Sequence, residues 1–317
     1  MTIEIKRINE ALQKEGFLQT DAPQPIEKVH FPVYISANEF GFIKALELVE
    51  KISTREGGVY LGVSGMQNWD YIVRQKPQLA LLADFNPKEV AFNKQMLEII
   101  HESKTASDFE SKAILQITTD FTKDSGSYEV NRRYGIDVNN RNFTILESLI
   151  NEIKEIVRRE DGPLANKNFS FFQQMVREGR VVALSLDLTD PKRITRLSEI
   201  IHSNGLTFSF LYLSNVYDYF EHDKERSASF KTAVNALKEK ETLIVDTTLC
   251  RSIWMLKTYL VWGEDPYTSH PYDPDIVRGW HEVDRASYYT LSLSSQDDGK
   301  YQTAQEGVKL SKWIDLN

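Results

Sequence analysis

The chain has 317 residues, a single cysteine and a formal net charge of −8. One thiol excludes an internal disulfide framework and fits a reducing compartment, and a chain this long buries enough core to fold without staples. An acidic surface repels nucleic-acid backbones and anionic membranes, and the one short basic run, Arg132–Arg133, does not overturn that.

The N-terminus lacks the apolar core of a signal peptide, and no apolar run reaches bilayer-spanning length. The expectation is a cytoplasmic protein without a membrane span; an effector exported by a dedicated machine would share both features. The sequence carries no signal for oligomeric state.

Taken along the chain, the first fifty residues read as helical, with a break at Asp21–Pro25. Ser36 to Glu39 has capping-box spacing, and Phe42, Ala45, Leu46, Val49 and Ile52 mark one helical face. After Gly57–Gly58, Val59–Val63 is a short apolar run of strand length, followed by a helix over about 66–75 that ends before Pro77. Leu79–Ala83 is a second buried strand ending at Asp84. Asn86–Pro87 then opens a helix, Asn as N-cap and Pro in the first turn. Val90, Met96, Leu97 and Ile100 give that helix its apolar side.

From about 105 to 172 the strand rhythm lapses. Thr144 to Glu147 is a second capping box, and Leu146, Leu149, Ile150, Ile153, Ile156 and Val157 form a helical stripe. This stretch reads as a helical insertion. Strands return at Val181–Leu186, Leu206–Leu213 and Thr242–Val245, the last expected to end at Asp246. The helices between them open at Asp190–Pro191 and carry Phe230, Ala233, Val234 and Leu237 on one face.

Near-continuous apolar strands alternating with helices predict a doubly wound, mostly parallel Rossmann-like α/β sheet. The expected organisation is an N-terminal helical extension over 1–56, then a sheet domain over 57–317 interrupted by the insertion. The C-terminal region, rich in Tyr and Trp, is expected to add antiparallel strands at the sheet edge.

Ligands of open α/β sheets bind beyond the carboxyl ends of the strands. Those ends carry Gly62–Gly65, Asp84, Asp187, Ser214–Asn215 and Asp246. Gly62 and Gly65 permit close backbone approach, and the following helix offers free N–H groups along with the amides of Gln67 and Asn68. Asp84 lies about twenty residues after the glycine turn, where a carboxylate commonly accepts a ribose hydroxyl pair. A tight turn followed by a helix-capping aspartate is the plainer reading of the same residues.

The run Val59–Gly65, then Gln67–Asn68, then Leu81–Asp84, resembles motifs I and II of class I S-adenosylmethionine-dependent methyltransferases. Tyr60–Ile72 with Lys76–Pro77 and Asp84 is similar, more closely, to a bacterial methyltransferase-like family. The resemblance spans about Gly57 to Asn93 and extends over Val181–Asp246. It implies a methyltransferase moving a methyl group from S-adenosylmethionine to an acceptor it does not identify. The Gly62, Ser64 and Gly65 turn, with Gln67 and Asn68, would lie along the methionine part of the cofactor, Asp84 at the ribose and Asp187 near the adenine. Ser214 would border the cofactor, and Asn215 would orient or deprotonate the acceptor. The chain departs from motif I in having Tyr60 where an acid stands and Ser64 where a glycine stands.

Two alternatives accompany this reading. One is a catalytically inactive Rossmann-like protein that binds a partner through the insertion. The other is an NAD(P)-dependent enzyme, disfavoured by the incomplete glycine pattern. His270, Asp273, His281 and Asp284 match no strong metal-site spacing, so no metal is expected there. Tyr212, Tyr217, Tyr219 and Phe220 are candidates for stacking on a flat ligand, and more often such aromatics are core. Cys250 reads as a small buried residue rather than a nucleophile.

Overall fold

The computed structural model describes residues 2–19, 32–36, 46–47, 49–50, 57–129, 144–214, 216–220, 223–239, 242–250, 255–262 and 281–282. Its centre is a seven-stranded sheet in the order β5 (Val181–Ser185), β3 (Leu79–Asp84), β2 (Val59–Val63), β6 (Phe208–Ser214), β7 (Leu243–Cys250), β8 (Met255–Trp262), β9 (His281–Glu282). The first five are parallel, and β8 and β9 continue the sheet antiparallel. Counted from β2, the parallel part runs 3-2-1-4-5, the Rossmann order, with its switch point between β2 and β6.

Each central strand is buried on both faces, and its residues alternate between two cores. Tyr60, Ala80, Leu82, Phe210 and Tyr212 face one side, against α2 (Gln67–Gln75), α3 (Pro87–Glu102) and α6 (Asn166–Arg177). Val59, Leu61, Leu79, Leu81 and Leu211 face the other, against α1 (Ile3–Lys14), α7 (Pro191–Ser203) and α8 (Lys224–Leu237). The α/β doubly wound architecture expected from the strand pattern is therefore present.

The helix caps follow the local chemistry. Asn86 and Asp190 accept N–H bonds at the starts of α3 and α7, each with Pro in the first turn. Thr144 and Glu147 make both bonds of a capping box at the start of α5 (Ile145–Arg158). The insertion is helical: α4 (Ala106–Lys123) and α5 pack on each other, and Leu149, Ile153, Ile156 and Phe109 join the core beneath α2. Asp70 on α2, 1% exposed at its side chain, ion-pairs with Arg159 at the end of α5 and with Arg74.

Two expectations need correction. Residues 33–34 are not helical: Val33–Tyr34 forms β1, which pairs in parallel with β4 (Tyr128–Glu129) outside the main sheet. Ser36 donates its hydroxyl to Glu152 on α5 at 3.2 Å, while the rest of its expected capping box lies outside the described residues. β7 does not stop at Asp246 but runs on to Cys250, because it pairs with β8 along its whole length. The N-terminal helix α1 packs on one face of the sheet: Ile5, Ile8 and Leu12 are buried in the second core, and Ser185 N–H donates to Phe17 O at 2.9 Å.

Candidate functional site

The carboxyl ends of β2, β3 and β6 meet at one rim, organised around the turn that follows β2. Ser64 holds that turn in the left-handed region at φ 72°, an uncommon conformation for a residue with a side chain. Its N–H donates to the carboxylate of Asp84 at the end of β3. Its carbonyl accepts from Asn68 Nδ2 at 3.1 Å and from Asn93 Nδ2 at 3.3 Å. Ser64 and Asp84 thus lie together on the rim, as the spacing of the two motifs predicts.

At both glycines the space a side chain would take is occupied by protein atoms. A Cβ on Gly62 would collide with Asn68 Oδ1 and Tyr60 Oη, which are hydrogen-bonded to each other at 2.7 Å. A Cβ on Gly65 would collide with the carbonyl oxygens of Tyr34 and Ile35. The absent side chains make room for protein atoms: a buried Tyr–Asn pair in one case, the backbone of segment 32–36 in the other. Asn68 is fully buried and also donates to Val63 O and Gly65 O, at 2.9 and 2.8 Å. It ties off the turn's carbonyls and has no donor left for a ligand.

Segment 32–36 crosses the rim between the glycine turn and α3. Met66 N–H donates to Ile35 O at 2.8 Å, Tyr34 N–H to Glu89 Oε2 at 2.9 Å, and Asn86 Nδ2 to Pro32 O at 3.2 Å. Asp84 also accepts the N–H groups of Phe85 and Asn86, the latter at 2.8 Å. Burial pushes its carboxyl up to about 6, against the pull of those three N–H donors. Glu89, 2% exposed, is held well above the usual carboxylate range, first by burial and then by the charge of Asp84.

The remaining expected residues are distributed as follows. Gln67 is buried and donates to Tyr212 Oη at 3.4 Å, while its Oε1 has no hydrogen-bond partner. Asp187 stands on the same rim, since Leu186 N–H donates to Asp84 O, and its carboxylate is bound to Thr189 N and Oγ1 at 2.7 Å each. Ser214, at the end of β6, is buried and left-handed at φ 52°. Asn215 lies outside the described residues. Tyr212 packs on Tyr71 in one core, with ring centroids 5.1 Å apart, whereas Tyr217 and Phe220 pack on Phe230 in the other, so these aromatics form no common platform. The side chains of Tyr219, Cys250, His270, Asp273, His281 and Asp284 fall outside the described residues. Among the described residues no group of three His, Cys, Asp or Glu side chains is placed to hold a metal ion, and no helix is long and apolar enough to cross a membrane.

Sequence reasoning missed Glu89, Asn93 and segment 32–36. The signal for the first two was present: they stand at i and i+4 on the face of α3 that carries Met96 and Ile100, polar residues on an otherwise apolar side.

The fold and rim define a Rossmann-like α/β protein with a self-filled turn at its switch point. The chain belongs to the family described as Domain of unknown function (DUF7790), whose model matches residues 34–263. No curated protein matches the chain.

For S-adenosylmethionine the arrangement is a poor fit. The glycine cradle is filled by Tyr60, Asn68 and segment 32–36, and the carboxylate of Asp84 is already bonded to three backbone N–H groups.

Proposed function

We propose that this chain is a Rossmann-like binding protein on a methyltransferase-type scaffold, with no turnover of S-adenosylmethionine. The observation that carries the reading is the seating of segment 32–36 against Gly65, Met66, Asn86 and Glu89, where a nucleoside ligand would approach the turn. The helical insertion is the partner surface in this reading. It supplies two of the large apolar side chains most open to solvent among the described residues, Leu115 on α4 at 68% and Ile145 on α5 at 52%.

A second reading, methyl transfer from S-adenosylmethionine to an acceptor, draws on Ser64 and Ser214. These left-handed residues end the two strands that flank the switch point, and strained backbone of this kind concentrates at ligand sites. In that reading segment 32–36 must leave the rim before the ligand binds. Calorimetric titration of the full chain with S-adenosylmethionine and its demethylated product separates the two. The binding-protein reading expects no heat of binding. Saturable binding that Asp84→Ala abolishes would replace it with the methyltransferase reading.

A further inference from the structure

Around the left-handed Ser64 the structure gathers acceptor oxygens without a matching positive charge. Asp84 reaches Ser64 N–H, and Asn93, 1% exposed, reaches Ser64 O. Glu89 reaches Tyr34 N–H, and the Tyr34 carbonyl lies against the Cα of Gly65, the next residue after Ser64. Glu89 and Asn93 are one turn apart on α3, and the charge of Asp84 is felt at Glu89. Two further oxygens of these residues, Glu89 Oε1 and Asn93 Oδ1, are buried with no hydrogen-bond partner.

Among the described residues no lysine or arginine pairs with Asp84 or Glu89. The nearby Lys88 instead pairs with Asp124 at 3.6 Å, and Lys94 donates to Leu18 O. Two neighbouring carboxylates repel each other when both are ionised, and the unpaired amide oxygen of Asn93, one turn from Glu89 on α3, adds a further acceptor. A bound proton or a cation relieves that repulsion.

We infer that Asp84, Glu89 and Asn93 form a site for a hard divalent cation beneath segment 32–36. Carboxylate and amide oxygens are the ligands such an ion takes, and the two carboxylates match its charge. Glu89 would offer Oε1, since Oε2 is occupied by Tyr34 N–H, and Asn93 would offer Oδ1, since its amide nitrogen is occupied by Ser64 O. Asp84 has about one acceptor position left after its three N–H bonds. Three protein oxygens with water completing the shell suit Mg²⁺ better than Ca²⁺, which takes six to eight oxygens. Because Glu89 also holds Tyr34, the ion would fasten segment 32–36 to the rim. The site is independent of the binding-protein reading and is tested without any nucleoside present.

The test is thermal unfolding of the full chain, first stripped with chelator and then titrated with MgCl₂, CaCl₂ or MnCl₂ at matched ionic strength. Binding to the folded state at about a hundredfold excess over Kd raises Tm by roughly 5 °C. Glu89→Gln, which keeps the side chain's shape and its bond to Tyr34, should lose that shift, and Asp84→Asn serves as the second variant if Glu89→Gln folds poorly. No shift in the wild type up to roughly 10 mM of any of the three ions, a high ceiling for a protein site, overturns the assignment: a shared proton or water then fills the gap. An equal shift in wild type and both variants overturns it as well, because the ions would be binding elsewhere.

Discussion

Gly65 and Tyr34 meet backbone to backbone: any side chain on Gly65 would run into the Tyr34 carbonyl oxygen. Thirty-one residues apart in sequence, they bring the N-terminal segment onto the turn that a Rossmann sheet ordinarily leaves open for a ligand. The glycine serves packing here, and its φ is not in the left-handed region that would make glycine obligatory for conformation.

Gly65→Ala follows directly. An alanine can adopt the backbone angles but not the space, so either segment 32–36 lifts away or the turn distorts. Overpacking of this kind costs about 1–3 kcal/mol. Urea unfolding should report that loss, and limited proteolysis should show faster cleavage near residues 32–36 with the sheet intact. A variant within about 0.5 kcal/mol of wild type, with unchanged cleavage, would contradict the packing role.

Asn68→Ala removes one amide that serves three carbonyls and the Tyr60 hydroxyl. Buried polar groups left unpaired cost about 1–3 kcal/mol each, and here their geometry is shared, so a total near 3 kcal/mol is expected. Asn68→Asp should do worse near neutral pH, because it turns an acceptor toward the carbonyls where a donor stood. Circular-dichroism melts of the two variants rank them, and equal stability for both would show that the amide donor does not matter.

The sheet was readable because β2, β3 and β5 are apolar on both faces and bounded by Gly, Pro or Asp, signals that survive any tertiary context. The mostly parallel sheet and the helical insertion followed from the same rhythm. β1 was not readable: two residues, Val33 and Tyr34, carry no period, and their pairing with Tyr128 and Glu129 is almost a hundred residues distant. The end of β7 was misplaced because Asp246 looks like a strand terminus, while a hairpin partner further along the chain keeps the strand going. At the site, the sequence located Asp84 and Ser64 on one rim. It could not tell that their hydrogen bonds are made to each other, since that depends on how far apart β2 and β3 hold them.

The acid pair gives a pH dependence with a definite sign. Asp84 and Glu89 both have folded-state pKa values above their unfolded ones, through burial and, for Glu89, the neighbouring charge of Asp84. The folded state therefore binds their protons more tightly than the unfolded chain does. Their contribution to stability is fully present below about pH 4, declines as pH rises through about 6 where Asp84 ionises, and is lost likewise as Glu89 ionises. The groups facing the pair are the N–H donors of Ser64, Phe85, Asn86 and Tyr34, together with Tyr128, whose own ionisation the Glu89 charge opposes. In chelator, Tm of Glu89→Gln should fall less steeply than that of wild type between pH 5 and 8. Parallel slopes would mean that the pair does not titrate in this range.

Asp70 fastens the insertion to the sheet. Its carboxylate is almost wholly inaccessible and meets Arg159 at the end of α5 and Arg74 one turn along α2, with both arginine side chains also largely covered. Asp70→Ala takes away the carboxylate shared by Arg159 and Arg74, leaving Arg74 its longer pair with Glu50 at 3.9 Å, and removing one partner of a buried pair costs about 3–5 kcal/mol. Some of that is recovered because Arg159 remains 17% exposed and can turn toward solvent, so about 2–3 kcal/mol is expected. The loss should be local first. Hydrogen exchange should quicken in α5 and α4 before it does in β2 and β3, since each of those strands is hydrogen-bonded to a neighbour on both sides while Asp70 ties only α2 to the end of α5. Uniform acceleration across all of these elements would show that the insertion and the sheet unfold as one unit, and that Asp70 stabilises the whole rather than the joint.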